Sequence, residues 1–206
     1  MFKKILLALF FTLSHSSYSL AETPEPKISK GKVEITLKDG SQKVLTDAKA
    51  CPCYIYKRFI DLEDVSYYVF DVTDKGAEGA YSILVDNRTG EELKINGIPV
   101  PSPDKKRFVT VTMDLSSKAH ESNIEVWDFK SAGSIQRTFD TKITEWGASD
   151  PVWVDNTALR FYKNFLDQET GMIKEDKPFI FLKLKDNKWE FEEDTTTKKE
   201  EPTEKK

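Results

Sequence analysis

The sequence predicts an all-β protein: about three four-stranded antiparallel sheets stacked face to face, with an N-terminal hairpin ahead of them. Three observations carry this expectation. A unit of strand, long loop, strand, tight turn and strand occurs three times, beginning at Ser66, Arg107 and Ala158. Those starts lie 41 and 51 residues apart, the spacing of a four-stranded repeat. Within the strands apolar residues fall on both faces, as strands held between two neighbouring sheets require. An ordinary β-sandwich of hairpins is the alternative, since it too shows short strands with turn signals.

Taken in order, the chain first shows a secretory signal in residues 1–21. Lys3 and Lys4 give the positive start, Ile5 to Leu13 (ILLALFFTL) forms the apolar core, and Ser19-Leu20-Ala21 is a small-x-small cleavage site. Nine residues fall short of the roughly 20 that a spanning helix needs, which argues against an uncleaved anchor. The compartment implied is the periplasm or the exterior, and no later stretch of the mature chain reads as a membrane insertion. Residues 22–30 (ETPEPKISK) are polar, carry two prolines and read as a flexible leader. The all-β domain spans 31–192. Residues 193–206 (EDTTTKKEEPTEKK) hold no apolar side chain, so burial cannot offset their ordering entropy and disorder is expected.

Inside the domain, Lys32 to Leu37 and Gln42 to Leu45 are strand-like runs on either side of Asp39-Gly40. That dipeptide tolerates the positive φ of a tight hairpin turn. Tyr54 to Ile60 is a further strand. The first repeat then reads SYYVFDV, AYSILVD, NRTGE, ELKI. The second is RFVTVTMD, SNIEVWDF, KSAG, SIQRTF, and the third is ALRFYKNF, PFIFLKL, KDNK, WEFEE. The Pro-Val pieces before the second and third units are expected to supply the first, innermost strand of each sheet.

The junction LVDNRTGEELKINGIPVPSPDKKRFVTV (residues 84–111) resembles a blade junction of the WD-repeat and TolB-type β-propellers. In those families a strand ends in Asp, a turn with Thr-Gly follows, and Ser-Pro-Asp-Gly opens the next blade. Here Lys105 stands where the families have Gly. The echo at Val154-Asp155-Asn156 lacks the Pro, and Ile124 to Asp128 (IEVWD) is similar to the strand ending in Trp-Asp. The resemblance covers about residues 54–192 and implies propeller-like blades. Three blades do not close a ring, because propellers use four to eight. Three outcomes are open: the N-terminal hairpin supplies a degenerate blade, two chains share a ring as a homodimer, or the sheets remain an open stack.

Charge and composition narrow the partners. Of 31 Lys and Arg, two lie in the signal, which leaves 29 against 35 Asp and Glu, a net charge of −6 on the mature chain. That balance argues against nucleic acid and anionic membrane, whose binding needs clustered cations. Cys51-Pro52-Cys53 is the only cysteine pair. In an oxidising compartment it reads as a local disulfide bent by Pro52, with an intermolecular bridge or two thiols as the other readings. His120 is the only histidine outside the signal and lies in a polar loop, with no nucleophile elbow near it. No zinc spacing, calcium loop or phosphate loop occurs, so no metal and no cofactor are expected, and the chain does not read as an enzyme.

The long loops 73–80, 114–121 and 166–177 occupy one slot in each repeat, and stacking in register brings them to one face. The connections 95–98 and 140–150 emerge there too by the resemblance. Binding residues concentrate on loops carried by a rigid scaffold, so this face, with His120, Trp146, Asp150, Met172 and Ile173, is the candidate contact surface. The partner expected is a protein of the cell envelope. The role expected is non-catalytic recognition, with an inhibitor or immunity protein acting through one protruding loop as the alternative.

Overall fold

A computed structural model describes residues 25–47, 53–62, 65–73, 81–113, 122–130, 133–167, 169–174 and 178–193. Residues 1–24, which include the stretch read as a signal, and residues 194–206 lie outside them. The described residues form fifteen strands and no α-helix. The first sheet holds β1 (Lys27–Ser29), β2 (Lys32–Thr36) and β3 (Gln42–Thr46). The second holds β4 (Tyr54–Asp61), β5 (Ser66–Val72), β6 (Tyr81–Asp86) and β7 (Glu92–Ile95). The third holds β8 (Val100–Pro101), β9 (Arg107–Val111), β10 (Ile124–Phe129) and β11 (Ile135–Thr141). The fourth holds β12 (Gly147–Trp153), β13 (Ala158–Asn164), β14 (Phe179–Lys185) and β15 (Lys188–Glu193).

All pairings are antiparallel, and in the last three sheets the strands follow one another in chain order. The expected units are therefore present, and β4, β8 and β12 are the added first strands. Strand β1 comes from the stretch read as a leader. It pairs Lys27–Ser29 with Lys32–Glu34 through the backbone, and its three residues are exposed, so no apolar pattern announced it.

Why the sheets stack follows from their faces. In β5, Tyr68, Phe70 and Val72 point one way and pack on Val33, Ile35 and Leu45 of the first sheet. Tyr67 and Val69 point the other way, onto Phe108 and Trp127 of the third. In β9 and β10, Val109, Ile124 and Val126 then meet Leu159, Phe161, Ile180 and Leu182 of the fourth. Phe70, Phe108, Leu159, Phe161 and Leu182 are fully buried. Each such side chain contributes roughly 1.5–3 kcal/mol by burial. Among the described residues these three cores join first to second, second to third and third to fourth sheet, and none joins the fourth back to the first. Among the described residues the stack is open and has four layers, with the N-terminal sheet at one end.

The turns follow the residue types. Asp186 and Asn187, at φ 48 and 62, close β14–β15 in the two-residue turn where both residues are left-handed. At the opening of the third sheet, Lys105 adopts φ 56, the conformation a glycine takes without steric cost. The turn is held by Ser102. Its hydroxyl lies 2.7 Å from Asp104 Oδ1, and it accepts the Arg107 backbone N–H at 3.0 Å. Lys105→Gly is therefore expected to stabilise the protein by about 1 kcal/mol. The check is the midpoint of urea denaturation, with an unchanged slope.

Candidate interaction surface

Of the expected loop face, residues 74–80 and 114–121 lie outside the described residues, and His120 with them. The β13–β14 connection is described at 165–167, 169–174 and 178. It continues the sheet as a small hairpin. Leu166 and Ile173 form an antiparallel bridge, and Lys174 N–H donates to Phe165 O at 2.9 Å. Asp167 N–H donates to Met172 O, and Gly171 N–H to Asp167 O, each at 2.8 Å. Gly171, at φ 68, supplies the left-handed position that ends the turn.

Asp167 is the centre of this tip. Its Oδ1 accepts the Glu169 N–H at 3.0 Å, the Thr170 N–H at 2.9 Å and the Thr170 hydroxyl at 3.1 Å. Those bonds from Thr170 and Glu169 hold the Asp167 carboxyl below its ordinary pKa. The turn so fixed presents Met172 at 70% exposure, with Leu166 and Ile173 at 38% each. Three large apolar side chains thus stand in water at the end of a hydrogen-bonded hairpin. Its base is anchored by Phe165, packed against the core between the third and fourth sheets.

The remaining predicted positions separate from this tip. Trp146 is buried, stacked on Phe161 at 6.0 Å and edge-on to Phe191 at 6.1 Å. Gly147 follows it, and there a Cβ would come within 3.0 Å of the Met113 backbone. The close approach of the chains leaves the indole between sheets, so Trp146 serves the core and is not an exposed anchor. Asp150 is exposed at φ 52, beside the bulge between Ser149 and Val152, and accepts the Ser149 hydroxyl at 2.8 Å. Cys53 is buried against the core between the first and second sheets, while Cys51 lies outside the described residues.

Sequence reasoning missed one polar cluster. Glu125, in the middle of IEVWD, is 2% exposed. Its carboxylate accepts from the Ser122 hydroxyl at 2.7 Å, Arg137 Nη1 at 3.0 Å, Asn96 Nδ2 at 3.1 Å, and Thr110 Oγ1 and Trp127 Nε1 at 3.2 Å. The signal was an acid flanked by Ile124 and Val126 in β10, paired with Thr110 on β9. The cluster ties the β7–β8 connection to the third sheet. It is saturated by its own donors and leaves nothing for a ligand.

A cleft of about 210 Å3 opens between the second and third sheets, lined by Tyr67, Asp86, Glu91 and Ser134 among others. That is below the roughly 300–1,000 Å3 of small-molecule sites. Burial, with the Asp86 charge adding to it, pushes the Tyr67 phenol up to about 12, so it stays protonated and donates to Gly133 O at 3.3 Å. Burial pushes Asp86 upward, but the Arg88 side chain and backbone N–H outweigh this and hold the carboxyl below its ordinary value. Among the described residues no three His, Cys, Asp or Glu side chains converge as a metal ion would need. No family model, no curated protein and no solved structure matches this chain.

Two outcomes are expected. Because the folded Asp167 carboxyl lies below its unfolded value of about 3.8, its bonds are fully present above that pH and weaken as pH falls below it. The protection factor of the Thr170 amide, followed from pH 6 to pH 2.5, should fall towards one only under the acid conditions. Glu125→Ala leaves the buried Ser122 and Thr110 hydroxyls and the Trp127 indole without their acceptor, and is expected to cost about 3 kcal/mol or more in chemical denaturation.

Proposed function

We propose that this protein is a non-catalytic recognition module of the cell envelope, secreted or periplasmic, that binds a protein partner through the β13–β14 hairpin tip. The observation that carries the reading is the combination of order and exposure: Met172 is 70% exposed on a turn fixed by Asp167 and Gly171. An apolar side chain carried on an already ordered turn gains its burial on binding without the cost of ordering the backbone, which is the physics of a contact anchor. The stacked sheets support the same reading, since they are a rigid carrier for loops. Their junction residues resemble those of WD-repeat and TolB-type propellers, and we read them as blades of that type in an open array.

The narrower alternative is an inhibitor or immunity protein that plugs an enzyme, such as a toxin or a cell-wall hydrolase, with this hairpin. The projecting shape of the tip favours it specifically. The two readings part on how much affinity the tip holds. The test is capture from envelope extract with the purified protein as bait, repeated with Met172→Asp and Ile173→Asp together. Loss of a single stoichiometric partner, with affinity down by about 100-fold or more, is the inhibitor outcome. A fall of less than about 10-fold across several partners is the scaffold outcome. Identical capture by wild type and variant would sink the proposed site.

A further inference from the structure

Strand β4 is an edge strand of the second sheet and, at eight residues, the longest strand described. It pairs only with β5, so the backbone groups along its other side have no strand to bond. A β-bulge interrupts it between Tyr56 and Arg58. Tyr54 and Tyr56 pack on the core with the first sheet, and plain alternation would put Arg58 there with them. The bulge absorbs Lys57 instead. Phe59 takes the place in that core, while Arg58 pairs with Val69 and turns with Ile60 towards the third sheet.

Arg58 arrives there without a partner. Its Nε and Nη2 have no exposed surface and no hydrogen bond among the described residues. The acids of that face are taken, Asp71 by Lys57 at 2.9 Å and Asp86 by Arg88 at 2.7 Å. Glu125, on the facing sheet, is saturated by its own donors. Burial lowers the pKa of the guanidinium with no acid offsetting it, yet an arginine stays charged at neutral pH. Buried charges are kept in pairs because an unpaired one is costly. Nε and Nη2 form the side of the guanidinium that grips a carboxylate with two parallel bonds.

We infer that the free edge of β4 is a strand-addition site for an extended peptide that carries a carboxylate opposite Arg58. Backbone pairing supplies the attachment, as in other edge additions. A side chain directly opposite Arg58 in the added strand lies about 5 Å away on the same face. Arg58 as a whole is half-buried, and its flexible stem can turn the fork towards a strand laid along the edge. Selectivity follows from charge. Bulges and inward-pointing charges are how sheet edges resist unwanted pairing. An apolar or basic side chain opposite Arg58 would seal the guanidinium in unpaired, and an acid removes that penalty. The next position on the same face is Ile55, 49% exposed, whose partner Asp71 lies two residues along β5 from Val69. The peptide is therefore one with an acid two residues from an apolar side chain. This site belongs to the second sheet and does not rest on the hairpin tip of the fourth.

Fluorescence anisotropy of the purified protein tests it, with a labelled peptide in which Val and Thr alternate and Glu replaces the central Val. The Glu peptide should bind at least about 10-fold more tightly than the same peptide with a central Gln, and a central Lys should abolish binding. Arg58→Gln should erase the preference for Glu over Gln, with circular dichroism unchanged. Arg58→Glu should turn the preference towards Lys, and Arg58→Gln decides the matter where that variant does not fold. The inference is overturned if no peptide binds the wild type up to about 1 mM. It is overturned equally if the Glu and Gln peptides bind alike, or if the Glu preference survives Arg58→Gln.

Discussion

A sheet with fully buried apolar residues on both faces needs a neighbour on each side, and the second and third of the four sheets here are of that kind. The second presents Tyr68 and Phe70 to one neighbour and Tyr67 and Val69 to the other, from a single seven-residue strand. The third does the same with Phe108 and Val109, adjacent residues fully buried in different cores. Everything else is arranged around that constraint. The N-terminal hairpin is short, but without it Phe70 and Val85 would be exposed. The fourth sheet exists, in the same sense, to cover Val109, Ile124 and Val126.

One tight turn within each sheet acts as the second level of order. An aspartate recurs at each, accepting backbone N–H groups two residues on: Asp39 from Ser41, Asp86 from Arg88, Asp104 from Lys106 and Asp155 from Thr157. The turns also touch one another across sheets. Asp104 N–H donates to Asn156 Oδ1 at 3.0 Å, and Arg107 Nη1 to Asn156 O at 2.9 Å. Lys38 N–H donates to Asn87 O at 2.7 Å at the boundary between the first and second sheets. The similar turn segments before the second and third repeats therefore meet as neighbours, and their contact fixes the register in which the third and fourth sheets stack. The long loops leave from the opposite ends of the strands, and of these the β13–β14 hairpin is the one whose tip the described residues show.

Much of this was legible in the chain. The three units, the Asp39-Gly40 hairpin and the first strands of the last three sheets follow from alternation and turn chemistry, which are local. The exposed tip was legible too, because Met172 and Ile173 interrupt a polar loop. Trp146 was not, since a tryptophan between Glu145 and Gly147 carries no local sign of which side it faces. Its burial depends on Met113 and Phe161, distant in sequence. Glu125 was hidden for the same reason. A carboxylate in an apolar strand is explained only by Asn96, Ser122 and Arg137, which arrive from other strands and connections.

By itself, then, the sequence determined the strands, their antiparallel order within each unit and the turn conformations, down to Lys105 in a position that favours glycine. These depend on residues within reach of one another along the backbone. Only the tertiary structure decided how many layers the stack has, that it stays open, and which apolar faces are covered. FIFLKL reads as a strand buried on both sides. Whether Phe179 and Phe181 meet another sheet depends on whether one lies beyond β12–β15, and no pattern inside β14 encodes that.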